Sequence, residues 1–177
     1  MRLSLTSCIV RSWEPDDVPS LVRHANNRRI WSNLRDRFPH PYTTADGNSF
    51  IRRVRVSRPE TTFAIEVNRE AAGGIGFMLQ PDVERVSAEI GYWLGETYWG
   101  RGVCTEALRA VTEYAIEKHG LTRVYALPFA HNAASCRVLE KAGFVLEGVL
   151  RRSAIKDGQI ADQKLYGFIA ETDAKAL

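Results

Sequence analysis

At 177 residues, with 45% hydrophobic and 25% charged positions, the chain is long enough for a full core and needs no second domain, so one domain over residues 1–177 is expected. Its net charge is only +3, no apolar run approaches a membrane span, and Met1 to Thr6 lack the continuous hydrophobic region of a secretory signal, which implies a cytoplasmic protein. Cys8, Cys104 and Cys136 are widely spaced without a Cys-x-x-Cys pair, so buried free thiols are expected rather than a disulfide framework, and no metal is expected.

The first predicted element is a strand near Leu3–Trp13, followed by a helix from about Asp17 to Asn27 with Val18, Leu21, Val22 and Ala25 on one face and Asp16 or Asp17 as its cap. A short helical piece around Arg29–Asn33 and a loop through Pro39-His40-Pro41-Tyr42 lead to a helix over approximately Ala45–Val56, ended by Arg-Pro. Strands follow at Thr62–Val67, Gly73–Leu79 and, after the Pro81-Asp82 turn, Ser87–Leu94. A helix carries Ala107, Leu108, Val111, Tyr114 and Ala115 at helical spacing through Ile116. Then come a strand at Arg123–Pro128, a helix capped by Asn132 and closed by Gly143, and strands near Phe144–Arg151 and Gln163–Ile169 joined through Asp157-Gly158. A meander followed by alternating strands and helices implies an α/β sheet of mixed direction.

Charge is unevenly placed. Nine arginines between Arg23 and Arg58 face only Asp36 and Asp46, so that segment carries +7 and the remainder −4. It is either a solvated surface in a chain that prefers arginine, with 19 Arg to 5 Lys, or a basic rim that steers an acidic partner. No nucleic-acid motif accompanies it.

Tyr98-Trp99-Gly100-Arg101-Gly102-Val103-Cys104-Thr105 lies between a strand and a helix. Glycine permits a tight turn and close approach to the main chain, and the unpaired N–H groups of a helix start bind negative charge, so a phosphate or pyrophosphate is the expected ligand. The six positions from Trp99 to Cys104 resemble the acyl-CoA-binding motif of the GNAT N-acetyltransferases: Gln or Arg, two residues, Gly, one residue, then Gly or Ala. Gly102 matches; Trp99 and Cys104 depart. Tyr-Trp-Gly-Arg-Gly is similar to the branch that contains the ribosomal-protein N-terminal acetyltransferases. Asn132, Ser135 and Lys141-Ala142-Gly143-Phe144-Val145-Leu146-Glu147-Gly148 resemble the last block of the same branch.

The resemblance implies a mixed sheet of about seven strands flanked by helices, two of whose central parallel strands splay to hold acyl-CoA. It implies acetyl-CoA as cosubstrate on Trp99, Gly100, Arg101, Gly102, Val103, Cys104 and Thr105, with Arg101 facing the pyrophosphate. An oxyanion-stabilising N–H would come from near Trp93 or Leu94, and Asn132 would hold the pantetheine or the splay. Glu89 interrupts an apolar strand and is the candidate base; the alternatives are an edge position or an arginine partner. The tyrosine that many relatives place seven residues after the asparagine is Leu139 here, and Ser135 matches the serine thought to interact with the CoA sulfur; its alternative is a helix-start serine bonding backbone N–H groups. His131 is a further titratable neighbour, with a surface loop as its other reading. The expected activity is acetyl transfer to the α-amine of a protein, ribosomal proteins leading. A small amine or a non-catalytic CoA-binding module is the alternative, and a homodimer is allowed.

Overall fold

Period-two patterning and turn residues divide residues 1–170, which the computed structural model describes, into eight strands and five α-helices. The strands are β1 (Arg2–Ser4), β2 (Ile9–Arg11), β3 (Thr62–Val67), β4 (Glu70–Leu79), β5 (Ser87–Leu94), β6 (Arg123–Ala126), β7 (Val145–Lys156) and β8 (Gln159–Ile169). The helices are α1 (Val18–Ala25), α2 (Arg28–Trp31), α3 (Thr44–Val56), α4 (Val103–His119) and α5 (Ala133–Lys141). All strands join one sheet in the order β1-β2-β3-β4-β5-β6-β8-β7, in which β5 and β6 are the parallel pair.

Each central strand serves two cores. Phe63, Ile65, Ile75, Phe77 and Ile90 pack against Ala107, Leu108 and Val111 of α4 and Leu139 of α5. Ala64 and Ala71 face the other way, against Trp13, Leu21, Ile51 and Val54 beneath α1 and α3. This alternation is why Glu89, Gly91 and Trp93 face the α1–α3 side while Ile90, Tyr92 and Leu94 face α4 and α5.

The splay follows from the pairing. β5 and β6 are in register only through Ser87, Ala88 and Glu89. Beyond Glu89, β5 stays with β4 as far as Leu94, whereas the chain after β6 stays with β8, through Ala130 N–H to the Asp162 carbonyl (2.8 Å) and Lys164 N–H to the Pro128 carbonyl (3.0 Å). The two strands therefore part because each keeps its outer neighbour.

Eight strands stand where about seven were expected, because the Leu3–Trp13 run is broken. Thr6 and Ser7 direct their N–H groups to the Glu106 carboxylate on α4 (2.7 and 2.8 Å), which turns the chain between β1 and β2. Asp17 precedes α1 but gives that helix no side-chain cap bond; its carboxylate is taken by the buried Arg11 guanidinium at 2.7 and 2.8 Å and by Glu14 N–H, which makes it part of a capping box on the short Pro15–Asp17 turn. Both strands of the last hairpin are longer than predicted, and β7 carries irregularities near Glu147 and Arg151–Ser153.

Candidate active site

A short turn, Glu96–Tyr98, brings the chain from β5 to Gly100 and Gly102, whose φ angles of +74° and +82° lie in the left-handed region. A side chain costs roughly 1–2 kcal/mol there. A Cβ built at either position meets nothing within 4 Å, so the glycines preserve backbone direction and open space in front of it. Gly102 is the N-cap of α4 and provides no capping group. The N–H groups of Val103, Cys104 and Thr105 precede the first intrahelical bond, from Glu106 N–H to the Gly102 carbonyl (3.1 Å). Three free donors at the positive end of a 17-residue helix, opening on a cleft of about 1440 Å³, suit a pyrophosphate, and so fit the acetyl-CoA expected there. Trp99 ties this loop to the end of β5 by donating its indole N–H to the Leu94 carbonyl (2.7 Å). Arg101 does not line the cleft; its guanidinium stands over the Tyr98 ring at 5.6 Å.

The same cleft runs through the splay. Odd-numbered β5 positions turn their polar groups to β4, as Ser87 does in accepting from Gln80 N–H, and even-numbered ones turn toward β6, as the preceding Val86 does in accepting from Thr122 N–H. By this alternation Leu94 N–H points into the gap and Trp93 N–H points to β4, which leaves Leu94 as the better placed of the two expected oxyanion donors. The Trp93 side chain lies on the opposite wall, edge-on to Phe38 with ring centroids 5.6 Å apart.

Asn132 caps α5, its side-chain oxygen accepting from Ser135 N–H (3.1 Å). The cap is thus already supplied, and the Ser135 hydroxyl lies 2.9 Å from the Tyr92 hydroxyl, which also donates to the Ser135 carbonyl (3.2 Å). Burial, partly offset by the bond to Ser135, pushes Tyr92 far above the usual phenol range, so its proton stays in place. This pair joins β5 to α5 across the opening. Tyr92 was not singled out in the sequence, although a tyrosine on the apolar face of a strand carries a hydroxyl that must find a partner. Leu139, where many relatives have tyrosine, is fully buried in the core.

Glu89 sits at the vertex, opposite Met78 on β4 and Tyr125 on β6. Its side chain is 18% exposed and forms an ion pair with Arg35 from the loop after α2. Glu89 thus lines the cleft and lies within the sheet rather than at its edge, and the arginine partner is present. Arg35 is the second residue missed, for lack of any local signal linking positions 54 apart in sequence. His131 is exposed, stacks on Phe129, and lines a separate small hollow. Burial holds the Cys104 thiol at about 12 and the Cys8 thiol at about 11, so neither supplies a thiolate at neutral pH. Among the described residues no group of three or more His, Cys, Asp or Glu is arranged to hold a metal ion.

A model of the acetyltransferase (GNAT) domain family matches residues 8–145. The chain belongs to the GNAT acetyltransferases. Curated relatives include the uncharacterized N-acetyltransferase YoaA of Bacillus subtilis (strain 168), 37% identical over 57% of this chain and 56% of that protein. They also include the ribosomal-protein-serine acetyltransferase of Escherichia coli (strain K12), 33% identical over 49% and 48%. The chain spans about half the length of the curated relatives it matches. Among solved GNAT structures, RimL, a ribosomal L7/L12 α-N-protein acetyltransferase in complex with coenzyme A, superposes with a TM-score of 0.85 at 21% identity, covering 98% of this chain and 100% of that one. GNAT acetyltransferases use acetyl-CoA, and both the glycine loop and the splay lie within the segment matched by the GNAT model.

Proposed function

We propose that this protein transfers the acetyl group of acetyl-CoA directly to a primary amine, the α-amine of a protein N-terminus. The observation that carries this reading is the continuous cleft, which joins the free N–H groups of Val103 to Thr105 to Ser135 and Glu89 through the splay. Its acceptor side also argues against polycationic amines. The lining carboxylates are Glu89 and Asp46, one paired with Arg35 and the other occupied by Thr43 N–H (2.8 Å) and hydroxyl (2.6 Å). A polyamine or aminoglycoside needs free carboxylates, and arginines would repel it. The resemblance to a ribosomal-protein-serine acetyltransferase supports a protein acceptor.

In this reading the neutral amine nitrogen attacks the thioester carbonyl carbon, the C–S bond breaks, and the amine proton passes to Glu89 or through water to solvent. An α-amine, with a pKa of about 7.7–8.0, demands far less of a base than a lysine near 10.4. Leu94 N–H meets the charge that develops on the carbonyl oxygen, and the Ser135 hydroxyl, held by Tyr92, hydrogen-bonds the departing sulfur. Thiol release from acetyl-CoA, followed with N-terminal peptides, polyamines and aminoglycosides, tests the proposal. Acetylation of peptides on their α-amine is the expected result. Turnover of polyamines alone would replace the acceptor, and no thiol release with any amine would leave a CoA-binding module.

A further inference from the structure

Beyond the end of α3, the sheet face that carries Glu89 is uncovered. Gly91 stands bare, with nothing within 4 Å of where a Cβ would lie, and Met78, opposite Glu89 in register, is 50% exposed. The walls of this groove are arginines: Arg35 and Arg37 from the loop after α2, and Arg53 and Arg58 from α3 and the turn that follows it. Arg35 is matched by Glu89. The other three have no carboxylate within ion-pair distance among the described residues. Arg53 stands over the Phe50 ring at 5.8 Å, and Arg58 is fixed by the Arg55 and Ser57 carbonyls at 3.0 and 2.8 Å. Guanidinium groups keep their charge at any working pH, and their planar forks match carboxylates.

We propose that the groove selects acidic N-termini: the acceptor carries aspartate or glutamate in the residues that follow its α-amine. With the amine at Glu89, those residues run over Gly91 and Met78, and Arg37, Arg53 and Arg58 are the cations within reach of their carboxylates. An apolar side chain beside the carboxylates is accommodated by Met78. This inference rests on the N-terminal acceptor proposed above and adds the charge of the segment behind the amine.

The test is a set of peptides that share a free N-terminal serine and differ only in the next four residues: Asp and Glu, their amides Asn and Gln, or lysines. We expect kcat/KM for the acidic peptide to exceed that of the amide peptide by about tenfold and that of the lysine peptide by more, with the margin shrinking as salt rises from about 0.05 M to about 0.5 M. The double substitution Arg53→Glu and Arg58→Glu should reverse the order, and because both side chains are exposed, a melting temperature close to that of the parent certifies the fold. Equal rates for all three peptides overturn the acidic preference while leaving N-terminal acetylation in place. If no peptide is acetylated yet a small amine is, the acceptor assignment itself falls, and the preference falls with it.

Discussion

Removing the Ser135 hydroxyl separates its two possible duties, because the structure assigns each a different magnitude. The helix cap is Asn132 accepting from Ser135 N–H, a main-chain group that Ser135→Ala retains. What is lost is the 2.9 Å bond to Tyr92, whose hydroxyl keeps the Ser135 carbonyl as a partner. The stability cost is therefore that of one hydrogen bond, about 1 kcal/mol, rather than of an orphaned buried group, and the melting temperature should fall by roughly 2–4 °C. Turnover should fall by roughly tenfold to a hundredfold if the hydroxyl meets the leaving sulfur, a moderate loss because a thiol of pKa about 8.5 is already a fair leaving group. Tyr92→Phe should lower turnover about as much, since Tyr92 acts through Ser135, and the double variant should be no slower than the worse single one. For single losses of about tenfold that absence of multiplication corresponds to a coupling of about 1.4 kcal/mol. Melting and thiol release measured on the same preparations decide the matter. If the losses multiply, the hydroxyls act separately; if Ser135→Ala melts earlier but turns over at the parent rate, the serine belongs to the fold and the acid is solvent.

Gly102→Val places a β-branched residue at φ +82° and in front of the free N–H groups, so we expect loss of roughly 1–2 kcal/mol of stability and at least about tenfold weaker CoA binding by calorimetry. Unchanged affinity would remove the pyrophosphate from this loop. Glu89→Gln should cut turnover by about 10²-fold with acetyl-CoA affinity nearly constant; full activity from about pH 6 to about pH 9 would move the base elsewhere. Burial, reinforced by Arg23 and Lys118 respectively, holds His24 and His119 below the ordinary histidine range. The unfolded chain then binds more protons below about pH 6.5, so stability should decline as pH falls through that interval, and His24→Gln should flatten the decline seen in denaturant titrations.

How much of this was legible differs from element to element. β3 and β5 coincide with the predicted Thr62–Val67 and Ser87–Leu94, because alternation and flanking turn residues are local signals. The left-handed Gly143 and the Asn132 cap were readable for the same reason, a backbone need met by few residue types. The break between β1 and β2 was not, since its cause is Glu106, a hundred residues away from Thr6. The Arg35 partner of Glu89 and the Tyr92 partner of Ser135 likewise depend on which elements the fold brings together. Within a strand pattern Tyr92 counts only as apolar, and its hydroxyl acquires meaning when α5 arrives beside it.

The segment that carries Arg35 and Arg37 is fastened to the tip of the β7–β8 hairpin. Arg28 and Lys156 both stand over the Trp31 ring, at 4.6 and 3.7 Å from its centroid, and pair with Asp157 and Asp36 respectively. The Lys156 side chain is only 5% exposed although its Asp36 partner is open to solvent, so the lysine is held by its packing on the Trp31 ring as well as by a pair that salt can weaken. Residues 32–35 are therefore a short span between two fastened points, Trp31 and Asp36, and Arg35, the partner of Glu89, is positioned from both sides. Exchanging residues 32–35 while Trp31, Asp36 and Lys156 are retained should therefore change the wall beside Glu89 without displacing it.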